Sequence, residues 1–386
     1  MKQVVRALAL LWITTFAAHA EEAAPPSAVP SPPTIAASGY VLIDADTQRV
    51  LAEKNSEEQL PPASLTKIMT SYIAAKEIRS GRIALDSDVP ISVNAWRAPG
   101  SRMFIREGTT VKLEELLKGI VIQSGNDSSI AVAEFIAGSE DAFADMMNKQ
   151  AQELGMNASH FVNPTGLPAE GHVTTAHDLA MLTRALIRDF PEHYEMYSHK
   201  SFRFNDIDQP NRNRLLWRDR TVDGVKTGHT EEAGFCLVAS ALRDGMRLIS
   251  VVMGTDSDET RMRESQKLLA YGFRYYQTQK LYDTDAPLKS TEVWYGEGDL
   301  VQLGVIAPVY VTIPRGRYKE LRAETDIQRI VRAPFAKGDE LGELRVFLDD
   351  DVVLKAPLVA MHDMAEGGLF KRMWHGIYLF FSELFG

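Results

Sequence analysis

Cysteine is nearly absent from this chain. Cys236 is the single one in 386 residues, so no intramolecular disulfide can form. It lies in Gly234-Phe235-Cys236-Leu237-Val238-Ala239, a strand-like run, and reads as a buried small hydrophobe with no base suggested nearby. Positive charge is also in deficit. Lys and Arg number 42 against 52 Asp and Glu, and the formal net charge of -10 argues against a nucleic-acid partner. Histidines such as His172 and His177 have no H-E-x-x-H setting or other ligand spacing, so no metal and no other cofactor is expected, and both read as loop and cap residues. No apolar run is long enough to be read plainly as a bilayer span. The first twenty residues have a positive start at Lys2 and Arg6 and a short apolar core from Ala7 to Phe16. They end in the small-x-small site Ala18-His19-Ala20. That is a secretory signal over 1–20 rather than a membrane anchor. Its removal takes away two positive charges and leaves a mature chain near ~-12. Export to a periplasm or the outer face of a membrane follows.

Hydrophobic residues at 45% and charged residues at 24% are ordinary for a globular protein, and the length calls for more than one domain. Residues 21–37 hold Pro25, Pro26, Pro30, Pro32 and Pro33 among Ala and Ser, a linker. Tyr40–Asp44 and Arg49–Ala52 read as a hairpin across Asp46-Thr47. Helices are expected at 111–122, 128–136, 141–154 and 175–188, then a strand at 222–227. A hairpin over 234–241 and 246–254 follows, then an amphipathic helix over 259–277. Strands at both ends with helices between them make an α+β domain over 38–282. Past Asp283 short alternating runs separated by Gly, Pro and Asp predict a small antiparallel β domain over 283–364, for which a spacer role is the default.

One stretch organises the chain: Pro61-Pro62-Ala63-Ser64-Leu65-Thr66-Lys67-Ile68-Met69-Thr70. The prolines cannot continue a helix but stand well just before one. Apolar or small residues at Leu65, Ile68, Met69, Tyr72, Ile73, Ala75 and Ile78 then recur at close to a helical period. Ser64 therefore sits at or near a helix N-terminus, and Lys67, three residues on, shares its face. A serine is a weak nucleophile unless a base takes its proton, and an amine with a lowered pKa would serve. Taken alone, Ser-x-x-Lys is better explained by an N-cap and a solvated lysine. Two further elements follow in order. Ser124-Gly125-Asn126 stands in a turn between helices, and Lys226-Thr227-Gly228 stands on a strand. Each is weak singly; together, in an exported chain, they form the triple of the serine penicillin-recognising enzymes.

With those motifs and the longer strings Gln123–Asp127, Gln209–Asn213 and Val222–Thr230, the chain resembles the low-molecular-mass penicillin-binding proteins that act as D-alanyl-D-alanine carboxypeptidases. The likeness covers nearly the whole chain. It implies a serine β-lactamase/penicillin-binding-protein-like catalytic domain, peptidoglycan pentapeptide as substrate, and β-lactams as ligands. The implied roles are these. Ser64 attacks the penultimate D-Ala carbonyl and Lys67 takes its proton. The backbone N–H groups of Ser64 and His229 hold the oxyanion. Ser124 relays a proton to the leaving amine, Lys226 keeps that corner positive, and Asn126 holds the substrate amide or Lys67. Thr227, Gly228, His229, Thr230 and Arg212 line the substrate side, with Thr227, Thr230 and Arg212 as candidates for the terminal carboxylate. Arg212 is equally readable as a structural arginine. Gly125 stands where class A β-lactamases have aspartate, which favours the carboxypeptidase. Glu153 reads as a helix end and Glu170 as a loop charge, so the sequence does not choose the group that activates the deacylating water. A β-lactamase, a D,D-endopeptidase and a non-catalytic wall-binding protein are the alternatives. Residues 365–386 close the chain. Leu369, Phe370, Met373, Trp374, Ile377, Tyr378, Phe380, Phe381, Leu384 and Phe385 form one broad apolar stripe, and Lys371, Arg372 and His375 lie mostly off it. This predicts an amphipathic anchor on the inner-membrane surface, after a Gly367-Gly368 hinge, with a helix docked on the β domain as the other reading.

Overall fold

The computed structural model describes residues 29–385, with side chains to 381. The expected signal segment 1–20 and the start of the linker lie outside the described residues. The rest of the linker is laid along the first domain. Ile35 is buried, the Tyr271 hydroxyl donates to the Pro30 carbonyl, and the Ala36 N–H donates to Glu264.

The first domain is built on a five-stranded antiparallel sheet in the order Val50–Lys54, Gly39–Asp44, Met246–Thr255, Gly234–Arg243, Val222–Thr230. Both faces are covered, which is why its strands read as near-continuous apolar runs. Successive side chains alternate between faces. Val41, Ile43, Val238, Ile249 and Val251 point into the helical layer. Leu42, Leu237, Leu248 and Val252 point to the helix Asp258–Tyr275 on the other side. That helix was expected to reach residue 277. It ends at Tyr275, and Tyr276–Tyr282 becomes a strand paired with Val309–Pro314.

The helix Lys67–Arg79 runs through the helical layer and is buried on nearly every side from Lys67 to Ala75. Its polar residues therefore need partners inside the protein. Thr70 donates to the Pro164 carbonyl, and Ser71 lies 2.7 Å from His193 Nε2. The segment expected as one helix from 111 is three elements. Thr110–Lys112 is a strand paired with Asp88–Pro90, Leu113–Lys118 is α-helical, and Gly119–Gln123 is a π-helical turn. The π turn ends at Ser124, whose φ of 65° is left-handed, and the helix Asn126–Ala137 begins directly after. Such a turn re-aims the residues that follow it.

The second domain is β-rich. Its six-stranded sheet has the order Leu321–Ile327, Glu340–Leu348, Asp351–Ala360, Leu300–Val305, Ala286–Trp294, Val331–Arg332. The last pair is parallel, against the expectation of a wholly antiparallel domain. The two domains meet in a buried hydroxyl network. Asp44 Oδ2 accepts from Thr278, whose hydroxyl lies 2.9 Å from that of Thr312, and Thr312 lies 2.7 Å from Thr47.

The tail helix Leu369–Phe385 docks on the second domain by its polar side. His375 Nδ1 accepts the Tyr295 N–H, Lys371 Nζ pairs with Asp299 at 2.7 Å, and Arg372 pairs with Glu366. Tyr378 stacks on Trp294, and Leu379 is buried. Leu369, Phe370, Met373, Trp374, Ile377, Phe380 and Phe381 face outward and are at least 47% exposed. Gly367 is not a free hinge, because its N–H donates to the Tyr295 carbonyl at 2.7 Å.

Candidate active site

Ser64 lies in a 3-10 turn, Ala63–Thr66, that leads straight into the helix Lys67–Arg79. Ala63 before it has φ 46°, a left-handed conformation uncommon for a residue with a Cβ. Two glycines make room for this turn. Gly228 on the strand Val222–Thr230 lies so close that a Cβ there would stand 3.1 Å from the Pro62 carbonyl. Gly166, at φ 80°, approaches more closely still, since a Cβ would fall 1.8 Å from the Ala63 carbonyl oxygen. The strand and the 163–172 loop thus grip the serine turn from two sides. Asn163 Oδ1 shapes the loop by accepting from the N–H of Thr165, the N–H of Gly166 and the Thr165 hydroxyl.

Lys67 is 1% exposed. Its Nζ lies 3.0 Å from Ser64 Oγ, 2.7 Å from Asn126 Oδ1 and 2.5 Å from the Thr165 carbonyl. Asn126 Oδ1 and Thr165 O can only accept. A neutral amine has two N–H bonds for those two acceptors and a lone pair left for the serine, whose hydroxyl then becomes the donor. The ammonium is disfavoured here. Burial, with the positive charge of Arg212 adding and Asp127 opposing, brings Lys67 from 10.5 to about 7.

The remaining predicted residues surround this pair. Asn126 Nδ2 donates to the Pro99 carbonyl, while Asp127 accepts from the N–H groups of Met103, Phe104 and Ile105, so the start of that helix holds the 99–105 loop. Gly125 has no space for a side chain, because a Cβ would stand 2.7 Å from Ser128 Oγ and 2.8 Å from Asp127 Oδ1. Ser124 is buried. Lys226 is also buried and donates to the Thr227 carbonyl at 2.9 Å. Burial, then Lys67, Arg212 and Arg261, hold its pKa well below the usual lysine range. Thr227 is buried and the His229 ring is exposed, 3.9 Å between centroids from Phe235. Thr230 Oγ1 accepts the Ala233 N–H, so this hydroxyl also holds the strand turn. Arg212 Nε donates to the Gln123 carbonyl, one residue before Ser124.

Besides Thr165, two residues that the sequence reading left outside the site reach it. His172 accepts the Val162 N–H on Nδ1, which leaves Nε2 to donate to Thr66 Oγ1 at 2.8 Å. It pins the 163–172 loop to the serine turn, a role that loop position alone did not suggest. Burial is the main reason its pKa falls to about 4. Arg261 is buried and donates to the carbonyls of Gly228 and Cys236, so it braces the strand from behind. Its place on an amphipathic helix gave no signal of this. Glu153 closes its helix in an ion pair with Lys76, and Glu170 is exposed on the 163–172 loop. Cys236 is buried and its thiol is pushed up to about 11, chiefly by burial.

A serine turn at the entrance of a buried helix, an adjacent amine and an edge strand of an antiparallel sheet define a penicillin-binding-protein-like catalytic domain. The comparisons are specific. The family model described as D-alanyl-D-alanine carboxypeptidase matches residues 27–257, and the one described as the penicillin-binding protein 5 C-terminal domain matches 276–366. The chain belongs to the D-alanyl-D-alanine carboxypeptidase family. It is 41% identical to the Escherichia coli (strain K12) D-alanyl-D-alanine carboxypeptidase DacA over 394 aligned positions, covering 100% of this chain and 98% of that one. It is 42% identical to DacC of the same organism, over 92% of this chain and 90% of DacC. The crystal structure of penicillin binding protein 5 from Haemophilus influenzae superposes with a TM-score of 0.85 at 39% identity, covering 87% of this chain and 99% of that one.

Proposed function

We infer that this chain is a serine-type D-alanyl-D-alanine carboxypeptidase that removes the terminal D-alanine from peptidoglycan pentapeptides. The observation that carries the reading is the Lys67 amine, buried, depressed to about 7 and 3.0 Å from Ser64 Oγ. In this reading Lys67 takes the Ser64 proton as Oγ attacks the penultimate carbonyl. The backbone N–H groups of Ser64 and His229 receive the oxyanion. Ser124 passes a proton to the leaving D-alanine amine, and Lys226 is a stronger acid than an ordinary lysine because its pKa is depressed. Asn126 keeps Lys67 oriented. The terminal carboxylate meets Arg212, Thr227 and Thr230, whose hydroxyl accepts from Ala233 and keeps its own proton to donate. Water then hydrolyses the Ser64 ester. β-Lactams enter the same path and acylate Ser64.

We propose that the tail anchors the enzyme at the membrane surface. No helix among the described residues is long and apolar enough to cross a bilayer. The tail helix uses its polar side for docking and turns its apolar side outward, the reverse of a helix covering a soluble core, and that exposure supports an interfacial anchor. The test of the activity is mass spectrometry after incubation with a muramyl pentapeptide, alone and with penicillin. Loss of one D-alanine, blocked by penicillin and absent in Ser64→Ala, is expected. Penicillin labelling that persists at another serine overturns the assignment, and rapid penicillin turnover points to a β-lactamase.

A further inference from the structure

A pocket of about 730 Å³ lies beside the 99–105 loop and takes no part in the chemistry at Ser64. Its walls come from the paired strands Asp88–Pro90 and Thr110–Lys112 and from the hairpin of Ser201–Phe204 and Ile207–Pro210. Both walls run on into the candidate active site. Thr110–Lys112 leads through Leu113–Lys118 and the π turn to Ser124, and the hairpin leads to Arg212. The 99–105 loop ties pocket and site together. Ser101 accepts the Asn126 N–H at 2.7 Å, Gln209 Nε2 donates to the Met103 carbonyl, and Asn205 Nδ2 donates to the Phe104 carbonyl.

Phe104 has a φ of 69°, a left-handed conformation that a bulky residue adopts only under constraint. The constraint is the buried Asp127 carboxylate, which accepts the N–H groups of Phe104 and Ile105. The result is exposure. Met103 and Ile105 are buried on either side, while Phe104 is 45% exposed next to Asn205, which lines the pocket. A strained backbone that holds an aromatic ring outward points to a contact made by that ring.

The pocket wall indicates the chemistry of the contact. Three cations, Arg106, Lys112 and Arg203, stand with three anions, Asp88, Glu115 and Asp206. Lys112 pairs with Asp88 and Arg203 with Asp206, and each pair keeps further N–H groups and lone pairs. Charge is balanced, which favours neither a phosphate nor an acidic peptide. Asn205 keeps Oδ1 to accept, and the Thr109 hydroxyl, which donates to the Arg106 carbonyl, can still accept. A ligand whose polar groups both donate and accept suits this wall, and an apolar face suits the ring. A pyranose has both, with hydroxyls around its edge and a C–H face that lies against an aromatic ring.

We propose that this pocket is a sugar-binding subsite in which Phe104 stacks against a pyranose of the glycan strand that carries the stem peptide. This rests on the carboxypeptidase reading above. The loop that touches Asn126 at one end then meets the sugar at the other, so the enzyme prefers peptides still attached to glycan over free ones.

The test uses the full mature chain and has two arms. The first needs no catalysis. Binding of a peptide-free β-1,4-linked N-acetylglucosamine tetramer is followed by saturation-transfer NMR and titration. Wild type and Ser64→Ala should bind it, and Phe104→Ala and Arg106→Ala should each weaken binding about fivefold or more. The second arm compares D-alanine release from a free pentapeptide and from the same pentapeptide on a tetrasaccharide. Wild type should favour the glycan-linked form by about fivefold or more in kcat/KM, mainly through KM. Both variants should remove that preference and stay within about twofold of wild type on the free peptide. A tetramer that does not bind, binding unchanged in both variants, equal wild-type kcat/KM on the two substrates, or variants that slow both substrates equally overturns the proposal. If neither substrate is cleaved while the tetramer binds in a Phe104-dependent way, the carboxypeptidase reading fails and the sugar site stands.

Discussion

If Lys67 is the base proposed above, its charge sets the pH dependence of acylation. A lysine at its ordinary value of 10.5 would be neutral in about one molecule in three thousand at pH 7. With the value brought to about 7, roughly half the molecules hold a neutral amine at that pH. The neutral form is the base, so the sign is fixed: acylation falls as pH drops below 7 and levels off above it. The neutral fraction is about a tenth at pH 6 and about nine tenths at pH 8, so the acylation rate should rise nearly tenfold between them. A chromogenic or fluorescent penicillin in a stopped-flow instrument isolates this step, because acylation is read before the ester is hydrolysed. Arg212 is the second cause of the depression after burial, so Arg212→Gln should move the midpoint to higher pH while leaving it far below 10.5. A rate that is flat from pH 5 to 9, or that rises only near the usual lysine value, would refute the assignment of Lys67 as the base.

Three further outcomes follow from the same geometry. Lys226→Ala should cost at least about a hundredfold in D-alanine release, the usual scale for a proton-transfer or electrostatic group, and near-normal rates would make Lys226 only a strand-end charge. Gly166→Ala forces a Cβ against the Ala63 carbonyl at a left-handed φ, so the loop must withdraw; a loss of about 2 kcal/mol or more in denaturant unfolding, together with slowed penicillin labelling, is expected, and wild-type behaviour in both would contradict the close approach. A chain ending near Ala365 should stay in the supernatant with anionic liposomes and remain fully active on small peptides, whereas the intact chain should sediment with them and do so less in high salt; both remaining in the supernatant refutes the anchor.

Much of this was legible because the candidate site is built from short motifs with local geometry. Ser64 and Lys67 are three apart at a helix entrance, a spacing that puts both side chains on one face, where Nζ lies 3.0 Å from Oγ. The apolar runs in 40–44, 234–241 and 246–254 likewise marked the sheet. The tail stripe was legible too, but not the side by which the helix docks. That depended on Tyr295 and Asp299, some 75 residues away, presenting partners for His375 and Lys371. The helical period at 111–122 misled because Val111 pairs with Val89 as a strand, and the π turn at 119–123 leaves no composition signature.

The groups missed at the site share one cause. Thr165 acts through its carbonyl, which every residue type possesses, and His172 and Arg261 act through contacts 106 and 33 residues away in the chain. None of them touches Ser64 by sequence neighbourhood, yet each fixes an element that does. Thr165 fills the acceptor place that leaves Lys67 a lone pair for the serine. His172 ties the 163–172 loop to Thr66, and Arg261 holds the strand at Gly228. In the proposed mechanism the motifs supply the reacting groups, while the geometry that would make Lys67 a base is supplied by residues outside them. A chain could keep Ser64, Lys67, Ser124, Asn126 and Lys226 intact and still lose that base if Gly166 or His172 let the loop drift away from Lys67.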